Sequence, residues 1–358
     1  MKVVTITAWV GAIVAIAGLA VECVNLRFFP LLRAARGRDR SIVACLAVRD
    51  EEQTVTACID GLLAQPEIEA VAVCDDRSRD ATQIVLERLA DANPRVWLAR
   101  LAPGADGSKS AALSAAAQRA NRCDIPFLLF TDADVTFEAG AAGALLVRAR
   151  ECDADAVSAW PRVRARTVAD SLLAPLVPEL LLQALPMWRW RDPRCTAATG
   201  QALLVDRRAY VECGGHAGIG TIVEDVALAR RLGMRGYRVA LASGAHVLAV
   251  DGYESMRAGW DGLGRSLFGS GAGVCATYAA WHALLTIAPL FARRARLPAA
   301  VALTAIVAAR ALQTARMRES PLSVALAPVS HAVATIGAIR ALVLGRRGAL
   351  RWRGRPVT

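Results

Sequence analysis

The chain has 358 residues, 55% of them hydrophobic, which is enough for one sizeable domain plus membrane segments. Its net charge of +11 is segregated: residues 1–40 carry six Lys/Arg against two acids, residues 41–270 carry 25 against 29, and residues 271–358 carry 12 against one. The basic excess lies beside apolar segments while the centre is slightly acidic, which argues for a membrane protein and against a nucleic-acid binder.

Val3 to Val21 is an uncharged apolar stretch of 19 residues, about the length that spans a bilayer. A signal peptide is the competing reading. Lys2 is the sole charge ahead of the stretch, and Glu22 follows it in place of a small-residue cleavage site, so the flanks favour an anchor. Arg27, Arg33, Arg36, Arg38 and Arg40 come next, and the positive-inside rule then puts the following domain in the cytoplasm. The organisation expected is an anchor over 1–26, a basic juxtamembrane linker over 27–40, a cytoplasmic domain over 41–270 and a C-terminal membrane region over 271–358. Nine cysteines without a Cys-x-x-Cys pair, and four scattered histidines, read as buried thiols rather than a zinc site or disulfide framework.

Residues 41–160 alternate strand and helix patterns. Strands are predicted at 41–48, 70–74, 96–101, 126–130 and 154–159, with helices at 52–64, 80–89, 109–121 and 138–150. A glycine-bearing loop over 103–108 precedes the Ala-rich helix that starts at Lys109. Such alternation predicts an α/β fold with a mostly parallel sheet covered on both faces. Residues 168–187 are strongly apolar but hold Asp170, Glu179 and three prolines. They fit a helix on the membrane surface or a buried domain helix equally well. Apolar stretches at about 273–292, 297–315 and 321–345 follow, with Arg293, Arg294 and Arg296 between the first two and an Arg-rich tail. Two spans plus one surface-lying segment would keep that tail inside.

Acidic motifs recur at the predicted strand ends. Arg49-Asp50-Glu51-Glu52 follows the first strand, Asp75-Asp76-Arg77-Ser78-Arg79-Asp80-Ala81-Thr82 the second, and Asp132-Ala133-Asp134 the fourth; Glu224-Asp225 later opens a helix. In open α/β sheets ligands bind off the carboxyl ends of the strands. Two carboxylates one residue apart at such an exit suit a hard divalent cation, which neutralises a diphosphate. Singly, each motif reads as a solvated loop or helix cap; three at one edge of one sheet do not. Lys109 is one of two lysines in a chain with 41 arginines. At a helix start it suits a compact positive contact with a base or phosphate.

Taken in this order, these residues resemble the inverting family 2 glycosyltransferases with the A-type nucleotide-sugar fold. The resemblance covers about residues 41–270, and with the flanking membrane segments it is nearest to the hopanoid-associated and carotenoid glycosyltransferases. It implies that Asp75 and Asp76 hold the uracil and ribose of a UDP-sugar, with Arg49, Glu51 and Lys109 on the same donor side. Asp134 would bind Mg²⁺ or Mn²⁺, and Asp132 the ribose or the metal's waters. Asp225 would be the general base, with Glu224 orienting it or lying in the acceptor site. Gln201, after Gly200, would line the acceptor side. Processive synthases of the family carry Gln-x-x-Arg-Trp about 35 residues after the base. This chain has Gly259-Trp260-Asp261-Gly262-Leu263-Gly264-Arg265 there, with Arg265 a contact for the diphosphate and Trp260 an interfacial anchor on the acceptor side. The expectation is therefore a metal-dependent enzyme of the inner membrane, adding one sugar to a membrane lipid. A polysaccharide synthase and a non-catalytic membrane scaffold are the alternatives.

Overall fold

The computed structural model describes residues 2–37, 40–102, 107–192, 195–221, 223–253, 255–290, 295–352 and 355–356. Arg38, Arg293 and Arg294 of the basic flanks, and residues 103–106 of the glycine-bearing loop, lie outside the described residues. The chain forms two compact units. One comprises Met1–Phe28, Val163–Trp188 and Asp251–Thr358, the other Phe29–Arg162 and Arg189–Val250. The unit holding the termini thus takes in residues 163–188 and 251–270, which the sequence groups with the central domain.

After the first helix, α1 (Lys2–Asn25), the chain enters the sheet unit. Its elements are β1 (Ile42–Val48), α2 (Val55–Leu63), β2 (Ile68–Asp75), α3 (Thr82–Ala92), β3 (Val96–Ala99), α4 (Lys109–Ala120), β4 (Phe127–Thr131), β5 (Thr136–Phe137), α5 (Ala141–Cys152) and β6 (Ala156–Trp160). Next come β7 (Arg162–Arg164), α6 (Val168–Leu173) and α7 (Leu176–Ala184), before β8 (Leu203–Asp206), α8 (Arg207–Glu212), α9 (Glu224–Met234), β9 (Val239–Ser243) and β10 (Leu248–Asp251) complete the sheet unit. The chain ends in α10 (Met256–Gly269), α11 (Ala272–Leu290), α12 (Arg296–Met317) and α13 (Leu322–Arg346).

Seven strands form one sheet in the order β3-β2-β1-β4-β8-β6-β9. Neighbours pair in parallel except β8, which runs antiparallel to both β4 and β6. The central strands are aliphatic on both faces, as strands covered on two sides must be. Helix α4 shows why the Ala-rich stretch is needed: Ala112, Ala116, Ala117 and Ala120 let it lie close on Val43, Cys45, Ala72 and Phe130. Ser108 caps its start by accepting from the Ala111 N–H at 3.1 Å. The direction of β8 matters for function. With Leu203 opposite Phe130, the residues just before β8 arrive at the same sheet edge where β1, β2 and β4 end.

The other unit is built inside out relative to a soluble core. Helix α1 buries its small residues Ala8, Gly11, Ala12, Ala15 and Gly18 and turns Ile6 (63% exposed) and Ile13 (61% exposed) outward. Helix α13 repeats this, burying Ala327, Ala334, Gly337, Ala338 and Ala341 while Val329, Ile336 and Ile339 face out. Small residues let helix backbones approach closely where lipid surrounds the outside. Among the described residues three helices are long and apolar enough to cross a membrane: Thr5–Asn25, Arg296–Met317 and Leu322–Arg346. Helices α1 and α12 pack side by side and run in the same direction, Arg316 Nη1 donating to the Leu26 carbonyl at 3.0 Å.

The apolar segment around 168–187 is not one helix. It breaks at Pro175 into α6 and α7, whose residues are mostly buried within this unit. Asp170 closes a capping box with Thr167, and Glu179 pairs with Arg310 of α12. Gln183 then donates to Glu22 of α1 at 3.1 Å. A Cβ at Gly18 would meet the Gln183 amide at 2.9 Å, so this glycine makes room for the contact.

Candidate active site

The edge where β1, β2 and β4 end carries three loops. The first two are laced together. The Asp50 N–H donates to Ser78 Oγ at 3.0 Å and the Glu51 N–H to Thr82 Oγ1 at 2.8 Å. In return the Arg79 N–H donates to Asp50 at 2.7 Å and the Ala81 N–H to Glu52 at 2.8 Å. Asp50 and Arg77 sit at positive φ, +54° and +60°, which that lacing holds in place. Asp80 accepts from the Thr82 N–H and hydroxyl, the cap-like role its position suggests. Arg49 and Asp76 are buried together, with Nη1 3.7 Å from Oδ2. Asp75 is half-buried and takes both the N–H and the hydroxyl of Ser78.

The third loop meets the chain that enters β8. Lys109, at the first turn of α4, places Nζ 2.6 Å from Asp132 Oδ1 and 2.7 Å from Glu224 Oε1. Asp225 lies beside them, its Oδ2 accepting from the Gly200 N–H at 2.6 Å and its Oδ1 from the Val226 N–H at 2.8 Å. Gly200 is wedged among the three side chains: a Cβ there would stand 3.1 Å from Lys109 Nζ, 3.5 Å from Glu224 Oε1 and 3.7 Å from Asp225 Oδ2. The Thr131 hydroxyl donates to the Gln201 carbonyl at 2.8 Å and the Thr199 N–H to Ser158 Oγ at 2.8 Å, fixing where Gly200 falls. Thr131, Ser158 and Thr199 are functional supports that sequence reasoning does not find. Only the antiparallel entry of β8 brings them to the site.

The electrostatics follow from crowding. Burial, then the neighbouring Glu224 charge, pushes the Asp225 carboxyl up to about 7, against the opposing pull of Lys109 and the two N–H donors. Asp134 is pushed up to about 6 by partial desolvation and by the charges of Asp132 and Glu51. Asp134 keeps an exposed surface beside those like charges. Burial by itself would depress the Lys109 ammonium; Asp132, Glu224 and Asp225 outweigh it and hold the pKa well above the ordinary lysine value.

Among the described residues no group of three or more His, Cys, Asp or Glu side chains is set to enclose a metal. Asp132 and Asp134 are two carboxylates of one loop, with the charges of Asp132 and Glu51 both bearing on Asp134. That fits a hard divalent cation which draws its remaining oxygens from a diphosphate and water. Of the residues singled out in the sequence, Lys109, Asp132, Gly200, Glu224 and Asp225 converge, with Gln201 adjoining them through its carbonyl bond to Thr131. Asp134 lies on the same loop as Asp132, and Arg49, Glu51, Asp75 and Asp76 form the neighbouring loops. Trp260 and Arg265 are on α10, in the other unit, where Trp260 packs on the bare backbone of Gly337 and Asp261 pairs with Arg340 at 2.7 Å.

A mostly parallel sheet with one reversed strand, and an acidic edge where three strands end, defines a glycosyltransferase-like protein of the A-type fold. The chain belongs to the glycosyltransferase like family 2, whose sequence model matches residues 41–265. Among solved structures, the mannosyltransferase PcManGT from Pyrobaculum calidifontis, in complex with GDP-Man and Mn²⁺, is 18% identical with a TM-score of 0.55, covering 94% of this chain and 99% of that one. Glucosyl-3-phosphoglycerate synthase from Mycobacterium tuberculosis, in complex with phosphoglyceric acid, is 19% identical with a TM-score of 0.42, covering 66% of this chain and 79% of that one. TarS from S. aureus is 12% identical with a TM-score of 0.42, covering 86% and 92%. No curated protein matches the chain in sequence.

Proposed function

We propose that the protein is a membrane-bound inverting glycosyltransferase that moves a single sugar from a nucleotide sugar to a membrane lipid. The observation that carries this is Asp225: a carboxyl held by the Gly200 N–H, raised to about 7, and joined through Glu224 and Lys109 to the Asp132 carboxylate at the exit of β4. A base poised near neutrality takes the proton of an acceptor hydroxyl as that oxygen attacks the anomeric carbon. One base working from one face gives inversion in a single displacement. Asp75, Asp76 and Arg49 would receive base and ribose, with Glu51 beside them, and Lys109 the diphosphate. Gln201 would face the acceptor. Asp134, with Asp132, would hold Mg²⁺ or Mn²⁺, which when bound stabilises the departing nucleoside diphosphate.

The membrane part of the reading is supported by the inside-out packing of α1 and α13. The basic residues after α1 favour a cytoplasmic site on the inner membrane, where a soluble donor meets an insoluble acceptor. A UDP-sugar is the first donor to test, and PcManGT's GDP-Man makes GDP-sugars the second. A hopanoid or carotenoid acceptor follows from the sequence resemblance. Membranes carrying wild type, Asp225→Asn or Asp134→Ala, given radiolabelled UDP- and GDP-sugars with Mn²⁺ or Mg²⁺, test the proposal after solvent partitioning. Label in the lipid phase with wild type alone is expected. Label in an insoluble polymer would mean a polysaccharide synthase, and no transfer with equal nucleotide binding by all three proteins would mean a non-catalytic scaffold.

A further inference from the structure

Lys109 joins two carboxylates with different assigned roles. Asp132 belongs to the pair at the end of β4 and Glu224 to the pair at the start of α9; the ammonium contacts both, at 2.6 and 2.7 Å. Among the described residues neither carboxylate has another ion-pair partner. Glu224 is almost fully buried, and an unpaired charge there is costly, so the lysine is needed when no substrate is present. The bare backbone of Gly200 lies beside Nζ, where even a Cβ would stand 3.1 Å from the ammonium.

We propose that Lys109 is the resident cation of the donor-free site, so that a divalent metal enters together with the nucleotide and not ahead of it. The inference rests on the metal-assisted transferase reading above. A free divalent ion must compete with an ammonium already in contact with Asp132, and it gains only two protein carboxylates where it wants about six oxygens. An ion arriving on a diphosphate brings oxygens of its own. The same diphosphate offers Lys109 new acceptors, and three rotatable N–H donors on a flexible stem let the ammonium turn toward them while still neutralising Glu224. Metal and nucleotide therefore bind with positive coupling, and the coupling passes through Lys109.

The test measures Mn²⁺ binding to the full-length protein in detergent, by loss of the free-ion paramagnetic resonance signal, with Mn²⁺ alone and with UDP or GDP added. Wild type is expected to bind Mn²⁺ weakly alone and about tenfold or more tightly with nucleotide, in the usual range of such couplings. Lys109→Met is expected to bind Mn²⁺ alone about tenfold more tightly than wild type, with a smaller gain from nucleotide. Because that variant leaves Glu224 without its counter-charge, Lys109→Met/Glu224→Gln is measured beside it and should shift in the same direction. Wild type binding Mn²⁺ equally well with and without nucleotide overturns the inference. So does nucleotide-dependent binding that is identical in wild type and both variants, and that result leaves the transferase reading standing. No Mn²⁺ binding by any form, even with UDP or GDP, overturns the metal reading together with this one.

Discussion

Asp225 shows how far a single position can be read. Its type and its place at a helix start are visible in the sequence; its basicity is not, because that depends on burial, on Glu224 and on the Gly200 N–H. With the pKa near 7, kcat/KM should rise about tenfold per pH unit up to about pH 7 and level off above it, since the ionised form is the base. Asp225→Asn should lower kcat by roughly 10²–10⁴-fold and abolish that limb of the profile. The same substitution should stabilise the fold in alkali. The native pKa lies above the unfolded value of about 3.9, so this group's contribution to stability is lost as pH rises from about 4 to 7. Thermal melts at pH 5 and pH 8 should show Asp225→Asn gaining more on wild type at the higher pH. Gly200→Ala is the complementary case: its methyl meets Lys109 Nζ at 3.1 Å, so the ammonium must give by a few tenths of an ångström, and activity should fall by less than the about 10²-fold that a 1 Å misplacement costs, with little change in melting. Lys109 stood out in the sequence as a lone lysine at a helix start, but its two carboxylate partners, distant in sequence, did not.

At the scale of elements, the parallel alternation from β1 to β6 was legible because each strand is a continuous aliphatic run between helical patterns. The reversal of β8 was not, since three apolar residues and an aspartate carry no sign of direction, and the two-residue β5 is too short to leave a pattern. Nor did hydrophobicity separate α6 from α7. Pro175 breaks the segment, and of the charges inside it Asp170 closes its own helix cap while Glu179 meets Arg310 of α12 in a buried ion pair. Arg310→Met should therefore strand the Glu179 charge and cost about 3–5 kcal/mol, whereas Arg310→Met with Glu179→Leu should recover most of the loss. Melting of the detergent-purified variants decides it. A double variant as unstable as the single one would show that Arg310 acts through some other contact.

For the whole molecule, charge and helix direction make different predictions, and the structure favours the second. Charge alone suggests that α12 and α13 form a hairpin with α11 on the surface, so that α12 starts on the side where α1 ends. Yet α1 and α12 run in the same direction. Arg316 reaches the carbonyl at the end of α1, and Ala302, Ala305 and Ile306 share a buried cluster with Ala12 and Ala15, the register expected of parallel helices. Two spans that end on the same side require the chain between them to cross back. Helix α11 immediately precedes α12, has 19 residues and contains no Asp, Glu, Lys or Arg. It is the element able to make that crossing. The start of α12 should then lie across the membrane from the end of α1. A cysteine-bearing tag inserted at the start of α12 should react with an impermeant maleimide on intact cells, while the same tag at the end of α1 should react only after permeabilisation. If both tags need permeabilisation, α11 does not cross, and the hairpin that charge suggests is the correct arrangement.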